Sequence, residues 1–322
     1  MNTPKVSIIL MTYNQGKYLH TAIQSALSQT YENIEILISN NGSSDNTTNI
    51  VQSFLPNKKI TYLNYPKNES VNLRANQAID LASGDFISWL YGDDYYLDEK
   101  IQTQIHEFNS LDKSYGVVYG PGYIYHASDG KKVISSTLNC SGYCLEKFLA
   151  RWVKTGAINP ISSLVRKDCY KFHRPDNAIF TEGEVLYLHL AVSYKFFYLD
   201  KPLVVMTDHE SNLGKQAERN HITHIHSILR LIKENDLPKK IENLAYSHIC
   251  ELKVIACWHR IRTDGNITWA KSLLKSAFFT SSLHCMVNKY FFASLMLLFL
   301  PKKLQRVVNN LLPDLQGQDQ KL

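Results

Sequence analysis

Four short apolar runs, separated by polar loops and helical segments, constrain this chain more than any other feature. Residues 6–11 are rich in β-branched side chains and almost continuously apolar, the pattern of a central strand buried on both faces. Residues 18–29 follow with Leu19, Ile23, Ala26 and Leu27 at helical spacing. The alternation continues: strands at 34–38, 60–64 and 86–90, helices at 46–55 and 70–83. Strand–helix–strand repeats of this length imply a parallel sheet with right-handed crossovers. Such sheets bind ligands beyond the carboxyl ends of their strands. The loops at 12–16, 39–45 and 91–94 are therefore expected to converge on one edge.

The third of these loops closes the stretch 81–98 with adjacent carboxylates, Asp93 and Asp94. Paired oxygen ligands at a strand exit suit a hard divalent ion, and such an ion suits a diphosphate. An N-cap for the next helix would explain the same residues. Neither a Gly-x-Gly-x-x-Gly nor a Gly-x-x-x-x-Gly-Lys-Ser/Thr pattern is present, so a dinucleotide fold and a P-loop are both unsupported.

Beyond residue 98 the pattern loosens. Residues 99–111 read as a helix with Ile101, Ile105 and Phe108 on one face, and 115–125 as a strand segment turning at Gly120-Pro121-Gly122. Residues 126–142 are polar and irregular, and 145–152 look helical. A strand-like run ends at Val165, a helix covers 185–194, and a strand covers 203–206. From Ala217 the texture becomes helical, with segments at 222–234, 241–262 and 269–278. The division expected is 1–215 (halves 1–98 and 99–215) and a helical region at 216–322. Residues 316–322 are polar and expected to fray.

The formal net charge of +6 is mild for 322 residues, but its distribution is uneven. Residues 239–306 hold eleven Lys and Arg against Glu242, Glu251 and Asp264. No nucleic-acid motif accompanies the excess, so nucleic acid is not an expected partner. Residues 290–300 are apolar but too short to span a bilayer. With Trp258, Trp269, Phe278, Phe279 and flanking cations they fit either an interfacial amphipathic segment or a helical subdomain. Residues 1–5 lack a secretory pattern. The six cysteines lack zinc-finger spacing and read as reduced packing residues, which favours the cytoplasm, with the basic helices on the inner face of the membrane. His221, His224 and His226 read as helix-surface residues.

The run Pro4-Lys5-Val6-Ser7-Ile8-Ile9-Leu10-Met11-Thr12-Tyr13-Asn14, followed by Asn40-Asn41-Gly42-Ser43-Ser44-Asp45, resembles the opening of the family 2 glycosyltransferases. Asn76 to Asp85 continues the likeness, and Gly92-Asp93-Asp94 falls where that family carries an Asp-x-Asp motif. The resemblance covers residues 4–110 closely and runs on to about 214. It implies a GT-A-like α/β fold: a mostly parallel sheet flanked by helices, followed here by the C-terminal helical region. It also implies an inverting, metal-dependent transfer from a nucleotide-diphosphate sugar to a saccharide or lipid-linked saccharide during surface polysaccharide synthesis.

By the same resemblance, Thr12, Tyr13, Asn14, Asn41, Asp45 and Asp93 bind the nucleotide. Asp93, Asp94 and His209 hold Mn2+ or Mg2+, and Glu182 or Glu184 serves as base. The chain departs from the family pattern at four places. Asn40-Asn41 replaces a frequent Asp-Asp, Tyr91 replaces the first Asp of Asp-x-Asp, and Gly183 replaces the Asp of a Glu-Asp pair. Only His209 survives of a Tyr-Arg-x-His. Two other functions fit parts of the pattern: a nucleotide-sugar-binding protein with weakened catalysis, and a nucleotidyltransferase.

Overall fold

The computed structural model describes residues 3–155, 158–181, 183–212, 215, 217–262, 267–301 and 304. These form two compact units, Met1–Cys144 with Ile158–Glu210, and Leu145–Ala157 with Ser211–Leu322.

The first unit is built on β1 (Val6–Thr12), α1 (Gly16–Leu27), β2 (Ile34–Asn40), α2 (Thr47–Phe54), β3 (Ile60–Asn64), α3 (Val71–Leu81) and β4 (Phe86–Tyr91). All seven residues of β1 are buried, as a strand between two others and under helices must be. β1 pairs in parallel with β2 on one side (Val6 opposite Ile34) and β4 on the other (Val6 opposite Phe86). Ile8, Leu10, Leu19, Ile23, Ile36 and Ile38 meet in the main core. Ser70 caps α3 by accepting the Leu73 amide, which satisfies one of the donors that a helix start leaves open.

The chain continues through β5 (Tyr95–Tyr96), α4 (Lys100–Ser110), β6 (Tyr115–Tyr119), β7 (Tyr123–His126), β8 (Lys132–Ile134), α5 (Leu145–Thr155), β9 (Leu164–Arg166), α6 (Leu186–Ser193), β10 (Lys195–Tyr198) and β11 (Val204–Asp208). The large sheet runs β10-β6-β9-β4-β1-β2-β3, and a second sheet runs β5-β11-β7-β8. β9 lies antiparallel between β4 and β6, so the sheet is mixed there and parallel elsewhere. The segment read as one strand with a turn is two strands in two sheets. Gly120 and Gly122 let the chain cross between them: a Cβ on Gly120 would lie 2.2 Å from the Leu199 carbonyl oxygen. The stretch expected to be irregular contains β8, whose exposed residues pair along β7.

The cysteine reading is corrected at one pair: Cys140 and Cys144 form a disulfide, while Cys169, Cys250, Cys257 and Cys285 are free and buried. A separation of four carries no periodic signal, which is why the sequence concealed it.

The second unit comprises α5, α7 (Ala217–Glu234), α8 (Lys239–Arg262), α9 (Ile267–Thr280), α10 (Ser282–Val287) and α11 (Lys289–Phe299). Cys250, Val254, Cys257, Trp258 and Ile261 of α8 pack with Ala270, Leu274, Ala277, Cys285 and Leu297. The histidine reading also changes. His221 is buried and His224 half-buried, because i, i+3 places them on the same inner face as Ile225 and Ile228; His226 is exposed. Burial lowers the His221 pKa to about 4. The expected frayed tail, 316–322, lies outside the described residues.

Candidate functional site

The loops after β1 and β2 are clasped together. Asn14 takes a left-handed backbone, φ 52°, a conformation that asparagine tolerates better than most residues. Its amide donates to Ser43 Oγ (2.9 Å), and its Oδ1 accepts from the Ser44 amide (2.8 Å). Asp45 accepts from the amides of Gly16 (2.9 Å) and Thr47 (3.0 Å). Burial works against the Asp45 anion, but these bonds outweigh it and hold its pKa below the usual value. Tyr13 projects from this clasp, 43% exposed.

The loop after β4 arrives beside them. The Gly92 amide donates to the Met11 carbonyl (2.9 Å). A Cβ on Gly92 would stand 2.7 Å from both Thr12 Oγ1 and Gln15 Oε1, so only glycine lets the loop approach this closely. Thr12 Oγ1 is buried and has no hydrogen-bond partner. It is a buried polar atom that the protein itself does not satisfy, beside a cluster of polar loops.

Asp93 and His209 meet over this cluster. His209 Nε2 lies 3.0 Å from Asp93 Oδ2, with side chains 11% and 10% exposed. The His209 ring stacks on Tyr18 of α1, centroids 4.8 Å apart and planes within 12°. Gln15 also hydrogen-bonds the Asp93 carboxylate. Burial raises the Asp93 pKa, opposed by its own amide, His209 and Gln15. Asp94 points elsewhere, its Oδ1 accepting the Thr207 amide of β11 (2.9 Å). Burial, then the Asp93 charge, push the Asp94 carboxyl well up.

The other candidates fall as follows. Asn41 is buried and its amide group is engaged inside the protein: Nδ2 donates to Asn68 Oδ1 (2.8 Å) and the Glu69 carbonyl (2.9 Å), while Oδ1 accepts from Arg74 Nε (3.0 Å). Arg74 is buried against Glu69 (2.6 Å) and stacks on Tyr65 (3.7 Å). Asn40, beside Asn41, bonds Tyr62 and Asn64. Glu182 lies outside the described residues. Glu184 sits in the turn Gly183–Val185 before α6. It is near enough to Tyr91 to add to the rise in that phenol's pKa, behind burial and the charges of Tyr187, Asp94 and Asp93. A cavity of about 30 Å³ joins Tyr91 and Tyr187 to Gly183, room for water.

Sequence reasoning did not single out Gln15 or Tyr18, which orient the Asp93–His209 pair. Gln15 was legible as part of a polar turn, but nothing in the sequence marked Tyr18. Among the described residues no three His, Cys, Asp or Glu form a metal cluster. Asp93 and His209 bond to each other here, and a carboxylate with an imidazole is a donor pair of the kind a divalent ion takes.

The family profile "Glycosyl transferase family 2" matches residues 7–177. Over 122 residues the chain is 43% identical to an uncharacterized glycosyltransferase of Rickettsia felis, a match covering 37% of this chain and 20% of that protein. It thus spans about a fifth of that relative's length. Among solved structures, S. aureus TarS 1–349 in complex with UDP superposes with TM-score 0.60 at 18% identity, covering 77% of this chain and 70% of that one. The mannosyltransferase PcManGT of Pyrobaculum calidifontis, in complex with GDP-Man and Mn2+, gives TM-score 0.60 at 12% identity over 97% and 88% of the two chains.

Proposed function

Because the chain belongs to glycosyl transferase family 2, we propose that it moves a hexosyl group from a nucleotide-diphosphate sugar to a saccharide or lipid-linked saccharide acceptor, with inversion, in building a surface polysaccharide. The observation that carries this reading is the Asp93–His209 pair, 3.0 Å apart beside the clasped loops and the orphaned Thr12 hydroxyl. The base and ribose lie against Thr12, Tyr13, Asn14 and Asp45. Asn41 acts indirectly, locking the segment 67–69 to Arg74 behind the clasp.

Asp93 and His209 are the residues that would hold Mn2+ or Mg2+, and such an ion would supply positive charge against the leaving diphosphate. Gln15 and Tyr18 keep the two ligands in register. Asp94 anchors β11, the strand that presents His209, through the Thr207 amide. A carboxylate of Glu182 or Glu184 takes the proton of the acceptor hydroxyl as it attacks the anomeric carbon. That both relatives in solved complexes bind a nucleotide, one with Mn2+, supports a donor and ion of this kind.

Incubation with a panel of nucleotide sugars and Mn2+ or Mg2+ is expected to release nucleoside diphosphate. Asp93→Ala should lower the rate by ~10²–10³-fold, the usual loss for one electrostatic stabiliser. Pyrophosphate as product would instead indicate nucleotidyl transfer. Tight nucleotide binding without turnover, across candidate acceptors, would indicate a binding protein.

A further inference from the structure

Each of the last three helices of the second unit exposes large apolar side chains. Phe279 is the last residue but one of α9, Leu283 and Val287 lie four apart on α10, and Phe292, Met296 and Phe299 fall at i, i+4 and i+7 on α11. These six side chains are between 48% and 82% exposed. The opposite side of α11 is already buried, through Ser294 and Leu297. A helix apolar all round belongs in a covered environment, whereas a helix at a protein surface normally turns polar residues outward. Large apolar side chains exposed at this density on three consecutive helices point to an interaction site.

The charge around the face identifies the occupant. Between Ile267 and Leu304 the sequence has five lysines and no aspartate or glutamate. Lys271, Lys275 and Lys289 are exposed. A second copy docked through the same face would bring like charges together with no acid in this stretch to answer them. An anionic bilayer answers both halves of the pattern: apolar side chains enter the headgroup–acyl boundary and ammonium groups meet lipid phosphates. No helix among the described residues is long and apolar enough to cross a membrane, so the contact is with the surface.

We propose that the exposed face of α9, α10 and α11 docks on the surface of an anionic lipid bilayer. The inference stands apart from the transfer reaction and is read without an activity assay. The full chain is sedimented with vesicles of phosphatidylcholine alone or mixed with phosphatidylglycerol. Partitioning is expected to be more than tenfold stronger on the anionic vesicles. Each lysine near the surface is worth about fivefold, so K271A/K275A/K289A should lose on the order of a hundredfold. A second variant, F279S/V287S/F299S, should lose at least tenfold on the same vesicles while keeping its thermal midpoint. These positions are exposed, so neither variant disturbs the core. Failure to sediment, or equal sedimentation of all three proteins, overturns the proposal. So does a concentration-dependent dimer that the serine variant dissolves, which would give the face to a second copy.

Discussion

At the amino edge of the large sheet, Glu35 sits in a nest of donors. At the carboxyl edge, Asp94 has one. Glu35 accepts from Lys5 Nζ (2.8 Å), Ser7 Oγ (2.5 Å), the Ser83 amide (2.6 Å) and Ser83 Oγ (2.7 Å). Burial alone would raise its pKa, but these bonds together hold it at about 2. Asp94 has the Thr207 amide at 2.9 Å and an ionisable neighbour in Asp93, and its pKa moves the other way. Glu35 lies on β2 and Asp94 in the loop that follows β4, the two strands that flank β1. One edge has satisfied its charge from within the protein. At the other, burial and the neighbouring Asp93 disfavour the ionised form of Asp94.

The difference predicts stability effects of opposite sign. Glu35→Gln should cost about 2 kcal/mol at pH 7, the large shift being discounted because Lys5 is partly solvated. A depressed carboxyl stabilises above its unfolded pKa and loses that contribution as pH falls. The gap between wild type and variant should therefore close between pH 4.5 and about 2. Urea unfolding across that range measures it, and an unchanged midpoint at pH 7 would break the comparison. Asp94→Asn should act the other way and stabilise by about 1 kcal/mol at pH 7, since it relieves a buried charge facing Asp93. A raised carboxyl contributes most below its unfolded pKa and loses that contribution as pH rises. The variant's advantage should accordingly vanish toward pH 3.8 and below. Loss of stability at pH 7 would mean that the Thr207 contact outweighs the repulsion.

Much of the first half of the fold was legible because its signals are local. β1 through β4 are continuous apolar runs between turn residues, and α1 through α3 repeat apolar residues at helical spacing. The expected boundaries of β3 match the structure residue for residue. β9 was harder: three residues cannot show a direction, and its antiparallel place between β4 and β6 depends on partners far away in sequence. The second sheet was invisible for the same reason. Within the site, Asp93 and His209 were nominated separately, 116 residues apart. Their contact, and the roles of Gln15 and Tyr18, arise only when β4, β11 and α1 come together. Asn41 shows the reverse case, a residue whose chemistry suits a nucleotide but whose amide group is occupied by Asn68, Glu69 and Arg74.

The smallest expected effect tests the carboxyl edge most directly. Thr12 Oγ1 is buried, unpartnered, and within reach of the space that Gly92 leaves open. Valine has nearly the same shape without the hydroxyl. If the hydroxyl is only a packing element, an unsatisfied buried polar atom is being removed, and Thr12→Val should leave the thermal midpoint unchanged or slightly raised with donor affinity intact. If it is kept for a ligand, stability should respond in the same way, while affinity for the nucleotide sugar falls about three- to tenfold, the worth of one hydrogen bond. Calorimetric titration of the nucleotide into both proteins, paired with thermal unfolding without ligand, separates the two. An equivalent change on the amino edge, Ser7→Ala, removes a donor that Glu35 already uses. Stability lost at Ser7 and affinity lost at Thr12 would assign the structural charge to one edge and the ligand to the other.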